Sequence, residues 1–280
     1  MSIPKTEMRN PDSMHMDKLG SEEMALLVIR ANYDAVKACE NAAPQIAKAI
    51  DAIANAFERG GRLFYIGAGT SGRLGIIDAT ECPPTFGIPK EQVQGIIAGG
   101  NERVFSASEN EEDGYEQGYN AIIERKVKKE DVVVGISAAG NAKYVVGAIE
   151  CAREIGCVTV GVSSNDNTLV LKSADIAIFV DTGAEVLTGS TRLKAGTAQK
   201  IILNALSTCA MAKTGKIYEN MMINLSPTNE KLKLRVIRIV REITGYGEED
   251  ALALLSKNEW NIKRSVDDFY KEKNKWQSTV

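Results

Sequence analysis

Five short runs of consecutive apolar residues, at 63–66, 93–98, 132–136, 158–162 and 176–180, set the tightest limit on how this chain can fold. Strands that are apolar on successive residues, not alternate ones, are buried on both faces, which is the habit of a parallel sheet between two layers of helices. The intervening segments are long enough for right-handed crossover helices. The pattern therefore predicts an α/β, doubly wound parallel five-stranded sheet, with its core from Ala42 to about Gly215 and its domain extending over residues 42–228. With 44% hydrophobic residues among 280, the chain has apolar mass for one large core or two modest ones.

Helical patterns flank this region. The first 20 residues are polar, with Pro4 and Pro11, and read as an extended arm; an amphipathic run follows from Ser21 to about Glu40, so residues 1–41 form an N-terminal arm and helix. From Ala42 to Glu58 the apolar residues Ile46, Ala49, Ile50, Ile53, Ala54 and Phe57 recur at the helical period, and Gly60-Gly61 ends the run. Beyond Asn229 the strand pattern stops. Helical patterns at 231–244, 248–256 and 262–270 predict a small helical appendage over 229–280, with Trp260 and Phe269 as its core.

Several function classes are disfavoured at this stage. The net charge is -3 and no stretch clusters Lys and Arg, so no nucleic-acid partner is expected. The N-terminus has no apolar core of signal-peptide length, and no apolar run reaches the roughly 18 residues of a membrane span, so the expectation is a cytoplasmic protein with no membrane partner. Cys39, Cys82, Cys151, Cys157 and Cys209 lack ligand spacing and read as reduced core residues. His15 is the single histidine, which leaves no metal site and no serine or cysteine triad to expect.

The first apolar run leads into Gly67-Ala-Gly-Thr-Ser-Gly72 and then a helical segment. Glycines let the backbone approach a ligand, and free amides at a helix N-terminus attract an anion. Gly67, Gly69 and Gly72 satisfy the dinucleotide fingerprint in form, but the next strand ends in Gly95-Ile-Ile-Ala-Gly-Gly100 without the acidic residue that would hold a ribose. No dinucleotide or other cofactor is expected. Gly69, with the hydroxyls of Thr70 and Ser71, suits the acceptor oxygens of a terminal phosphate instead, although a tight turn that binds nothing would carry the same spacing. A second turn, Gly135-Ile-Ser-Ala-Ala-Gly140, offers one hydroxyl at Ser137, and the two turns can converge on a phosphosugar.

Two acidic features lie beyond these turns. Glu81, placed just past the first helix and followed by Cys82, Pro83, Pro84 and Phe86, is either a partly desolvated general acid or an exposed loop glutamate. The stretch containing Glu109, Glu111, Glu112 and Asp113 reads, on composition, as the charged first turn of a helix.

The runs Gly67 to Gly72, Asp78-Ala-Thr-Glu-Cys-Pro-Pro-Thr-Phe-Gly87 and Glu185-Val-Leu-Thr-Gly-Ser-Thr-Arg-Leu-Lys-Ala-Gly-Thr-Ala-Gln-Lys200 resemble the N-acetylmuramic acid 6-phosphate etherase family of the sugar isomerase (SIS) domain superfamily. The likeness extends from Thr6-Glu-Met-Arg-Asn10 through Pro227-Thr-Asn-Glu-Lys-Leu232 to the helical tail. It implies an SIS fold and a lyase that cleaves the D-lactyl ether of N-acetylmuramic acid 6-phosphate during recycling of cell-wall sugar. It also implies a homodimer with shared active sites. The family's two essential glutamates fall on Glu81 and Glu112, while Glu185, Ser190, Thr191 and Lys194 lie in the matching run as ligand or interface residues. Relatives usually carry Ser-Ala-Ser-Gly-Arg-Thr-Pro-Tyr where this chain has Ser137-Ala-Ala-Gly-Asn-Ala-Lys-Tyr144, so Ala139, Asn141 and Ala142 depart from the pattern. That departure keeps open a non-catalytic phosphosugar-binding regulator and an aldose–ketose isomerase on the same fold; retention of both glutamates favours the etherase.

Overall fold

A computed structural model of the chain describes residues 3–106, 110–225, 227 and 229–277. It divides into two compact units, one formed by residues up to 80 with 90–210, the other by 81–89 with residues from 211 onward.

The first unit begins with single 3-10 turns at Lys5–Glu7, Pro11–Ser13 and Met16–Lys18. These are not a detached arm. Thr6 and Asn10 are buried; the Asn165 side chain accepts from the Thr6 amide (3.3 Å) and donates to its hydroxyl (2.9 Å), and Asn10 Nδ2 donates to the Ala184 carbonyl (3.1 Å). Hydropathy gives no sign of such polar pinning, which is why the sequence reads as an extended arm. Helix α1 (Ser21–Asn41) starts where Glu23 accepts from the Gly20 amide at 2.9 Å, and Pro44 occupies the first turn of α2 (Ala43–Glu58), where a missing N–H costs nothing. The apolar period of α2 buries Ile46, Ala49, Ile53 and Phe57.

The rest of this unit alternates strand and helix: β1 (Leu63–Gly67), α3 (Gly69–Phe86), β2 (Val93–Ile97), α4 (Tyr115–Glu124), β3 (Val132–Ile136), α5 (Lys143–Ile155), β4 (Val158–Ser163), α6 (Leu169–Ser173), β5 (Ile176–Phe179) and α7 (Lys194–Lys213). The five strands are all parallel in the order β2-β1-β3-β4-β5, with Leu63 opposite both Val93 and Val132. Every residue of β1 and β3 is buried, as the consecutive apolar runs require. Fully buried side chains such as Phe64, Ile136, Ile149 and Leu206 each contribute roughly 1.5–3 kcal/mol of transfer free energy. Tyr65 brings a polar group into the core: its hydroxyl lies 2.9 Å from Asp78 Oδ2, and Asn204 and Ser207 donate to Oδ1 of the same carboxylate.

The second unit holds a two-stranded hairpin, β6 (Ile217–Tyr218) and β7 (Met221–Met222), too short to register as a strand pattern, and helices α8 (Glu230–Thr244), α9 (Glu248–Lys257) and α10 (Ile262–Gln277). Asn229 caps α8 by accepting from the Leu232 amide, and Gly245 closes it in the left-handed conformation. Val236, Val240, Leu255, Ile262 and Phe269 form the core. Trp260 packs against this core while only partly buried, at φ 60° in the break between α9 and α10, with the Lys233 ammonium 5.9 Å from its ring. Four cysteines are buried as expected, but Cys209 is exposed on α7. Among the described residues no helix is long and apolar enough to cross a membrane.

Candidate active site

The strand order reverses at β1, whose neighbours are β2 on one side and β3 on the other, and ligands in open α/β sheets sit at the carboxyl ends of strands at such a switch. Two turns leave the sheet there. After β1 the chain enters α3 through Gly69 at φ +52°, and the first backbone bond of the helix runs from Gly72 N to Ala68 O (3.3 Å). The amides of Gly69, Thr70 and Ser71 thus precede the intrahelical ladder and are free for an anion. A Cβ on Gly72 would lie 2.6 Å from the Gly67 carbonyl oxygen and 2.7 Å from Ile97 Cγ1, so close backbone approach fixes glycine there. After β3, Ser137 Oγ accepts from Gly140 N at 2.9 Å, which leaves its own O–H to point elsewhere.

A cavity of about 430 Å³ lies between these turns. Gly69, Thr70 and Ser71 line it from the first; Ser137, Ala138, Ala139 and Ala142 line it from the second. Glu112 and Thr191 complete the polar wall. The structure therefore gathers Gly69, Thr70, Ser71, Ser137, Thr191 and Glu112. Ser71 Oγ donates to Gln199 Oε1 at 3.0 Å, so its free offering is the backbone amide. Gln199, buried on α7 with its Nε2 unpaired among the described residues, supports this wall and escaped the sequence reading, in which it was only one polar position of a helix.

Glu112 is the one ionisable side chain among the described residues that line the cavity. It lies on a separate 3-10 turn, Asn110–Asp113, which Gly114 divides from α4, not in the first turn of that helix as composition suggested. Glu109 falls outside the described residues. The approach to this turn is stapled to α3: Arg73 donates through Nε to the Val104 carbonyl (2.9 Å) and through Nη2 to those of Arg103 (2.7 Å) and Ser106 (2.8 Å). Arg103 pairs with Glu111 (3.2 Å), and Lys143 at the start of α5 pairs with Asp113 (3.2 Å).

The remaining candidates lie elsewhere. α3 continues to Phe86, so Glu81 is inside the helix, not past it, and is exposed while Cys82 and Phe86 turn inward. Of the two readings left open for Glu81 the exposed one holds, on a helix and not a loop, because it occupies the helix face away from those apolar groups. It stands twelve residues beyond Gly69, about 18 Å along the helix axis. Glu185 is fully buried and accepts from the amides of Lys194 (3.1 Å) and Ala195 (2.9 Å), capping α7. Burial pushes its carboxyl above the usual range, opposed by those two amides and the Lys194 ammonium. Lys194 Nζ bonds Asp34 Oδ2 at 2.9 Å. Ser190, Glu185 and Lys194 thus hold the loop that carries Thr191 and do not line the cavity. Asn141 accepts from the Leu169 amide at 3.2 Å, so it too faces away. Among the described residues no group of three His, Cys, Asp or Glu could hold a metal ion.

The family model for the glucokinase regulatory protein N-terminal SIS domain matches residues 45–153. N-acetylmuramic acid 6-phosphate etherase of Pasteurella multocida is 50% identical over 254 residues, covering 90% of this chain and 84% of that one. The etherase of Clostridium beijerinckii is 46% identical over 261 residues, covering 93% and 86%. Among solved structures, a phosphoheptose isomerase from Francisella tularensis aligns with a TM-score of 0.52 at 16% identity, over 69% of this chain and 98% of its own. That likeness shows the fold.

Proposed function

This chain belongs to the N-acetylmuramic acid 6-phosphate etherase family, and from that premise we propose that the cavity at the β1/β3 switch cleaves the D-lactyl ether of N-acetylmuramic acid 6-phosphate, giving N-acetylglucosamine 6-phosphate and D-lactate. The observation that carries the reading is Glu112, the one carboxylate among the described residues that line the cavity, facing two turns whose amides and hydroxyls suit a phosphate. Among the described residues no lysine or arginine lines the cavity, so the phosphate is held by the amides of Gly69, Thr70 and Ser71, the hydroxyls of Thr70, Ser137 and Thr191, and the N-terminal ends of α3 and α5. Bonds of this kind to a charged group contribute about 1.5–3 kcal/mol each.

The chemistry is an elimination followed by addition. Opening of the sugar ring exposes an aldehyde at carbon 1, which acidifies the proton on carbon 2. Glu112 removes that proton, the electrons form a double bond between carbons 2 and 3, and the carbon 3–oxygen bond breaks as Glu81 protonates the departing lactyl oxygen. Water then adds its hydroxyl to carbon 3 and a proton returns to carbon 2. We assign Glu81 to the partner copy of a cytoplasmic homodimer. Twelve residues of helix separate Glu81 from the cradle in its own chain, whereas an acid must come within hydrogen-bond reach of the oxygen it protonates. In this reading residues 42–228 form the catalytic domain, with 1–41 and 229–280 as helical additions, and Glu185, Ser190 and Lys194 position Thr191.

The test is D-lactate release from N-acetylmuramic acid 6-phosphate by the purified protein, by Glu81→Gln and by Glu112→Gln. Each variant is expected to lose about 10²- to 10⁴-fold in turnover with phosphosugar binding retained. A wild-type protein that binds the phosphosugar but releases no lactate sinks the enzyme reading and leaves the regulatory one.

A further inference from the structure

Behind the Asn110–Asp113 turn lies a second cavity, about 420 Å³, that the proposed reaction does not use. Gly95, Ile96 and Ile97 of the edge strand β2 line it on one side, and α4 with Tyr144 on α5 on the others. Tyr144 is only 4% exposed as a residue, and its hydroxyl makes no hydrogen bond to another described residue, yet it is not among the side-chain atoms sealed from solvent, so it is open to a molecule in the cavity. Burial pushes that hydroxyl up to about 12, with the Arg125 guanidinium opposing and Glu124 and Glu111 adding, so it is a neutral donor at neutral pH. A donor that meets the cavity without a partner among the described residues can bond a polar group placed there.

The rest of the wall says what that group is. Asn101, Asn110, Gln117 and Asn120 present carboxamides, each able to donate and accept at once, which is the pattern a sugar hydroxyl requires. The charged groups are Glu111, paired with Arg103, then Glu124, and Arg125, whose Nη1 bonds Gln94 at 3.2 Å. Two carboxylates against one engaged guanidinium disfavour a phosphate.

We propose that this cavity binds an uncharged, polyhydroxylated molecule, a sugar without its phosphate, and that occupancy acts on the neighbouring active site. Consecutive residues make the link: Glu111 lines the second cavity and Glu112 the first. α5 and the residue before it repeat the arrangement, with Ala142 lining the first cavity and Tyr144 the second. A molecule that engages Asn110 and Glu111 therefore moves the turn that aims Glu112. This coupling rests on the reading of Glu112 as the base; the binding site does not.

The probe is N-acetylglucosamine, titrated calorimetrically into the full-length protein with and without saturating N-acetylglucosamine 6-phosphate. Binding is expected in both conditions, weakened about tenfold by Tyr144→Phe or by Asn120→Leu, a substitution on the exposed side of α4. The rate of lactate release by the wild type should change about fivefold or more when the probe is added, and that of Asn120→Leu should not respond. No binding, binding indifferent to both variants, or displacement by the phosphosugar would overturn the site. Binding with an unaltered rate would overturn the coupling. Glu112→Gln, carried in parallel, separates the two readings: retained activity in that variant removes Glu112 as base while the probe titration still decides the cavity.

Discussion

Mixing two inactive variants should restore activity. Glu81→Gln and Glu112→Gln each remove one of two proton-transfer groups, and each homodimer should fall to about 1% of wild-type turnover or below. If every site takes Glu112 from one protomer and Glu81 from the other, a mixed dimer contains one site with both glutamates intact and one with neither. Random exchange makes half of the dimers mixed, so the mixture recovers about a quarter of wild-type activity, more than an order of magnitude above either parent. If both glutamates came from the same chain, every site in the mixture would carry one defect and nothing would return. The twelve-residue separation of Glu81 from Gly69 along α3, about 18 Å, is the reason to expect recovery. The assay uses two affinity tags to isolate mixed dimers and follows D-lactate with a coupled dehydrogenase. Doubly tagged dimers as inactive as their parents would refute the shared site.

Ala139→Ser with Ala142→Thr places hydroxyls at two cavity-lining positions and should lower the Kd for the phosphosugar about tenfold or more; unchanged binding, with Ala139→Ser alone as the better tolerated control at its exposed position, would show that this turn does not grip the phosphate. Asp78 is held above the usual carboxylate range by burial, against hydrogen bonds from Asn204, Tyr65 and Ser207 and the charge of Lys200. Its folded form thus keeps a proton that the unfolded chain has lost. Its contribution is full below about pH 4 and declines as pH rises through the raised value. Asp78→Asn should flatten the fall of the urea midpoint over that interval, even if it lowers the midpoint throughout; an unaltered slope would remove Asp78 from the balance.

The sheet was legible because double-sided burial writes itself into sequence as consecutive apolar residues, and β3 begins and ends at the residues the pattern indicates. The cradle was legible because an amide anion site needs glycine where side chains would collide, as at Gly72. What stayed hidden depends on partners distant in the chain. Glu185 and Glu112 are both glutamates beside helical segments, but one caps α7 with both oxygens while the other meets a cavity, and neither role has a local signature. Thr6 and Gln199 are similar cases, polar residues whose burial is decided by Asn165 and Ser71 more than a hundred positions away. Aromatic bulk placed Trp260 against the core, but its positive φ, at a chain reversal that leaves it only partly buried, has no such signal.

The grip of Arg73 on three carbonyls also governs how relatives of this chain can vary in length. An inserted or deleted residue between Gly100 and Ser106 would shift the carbonyls of Arg103, Val104 and Ser106 out of register with one guanidinium, whereas a change beyond Ser106 would leave all three in place. Surface connections ordinarily absorb insertions anywhere along their course. In this one, the staple predicts that a length change between Gly100 and Ser106 costs more stability than one past it, which paired insertions compared by urea unfolding would check.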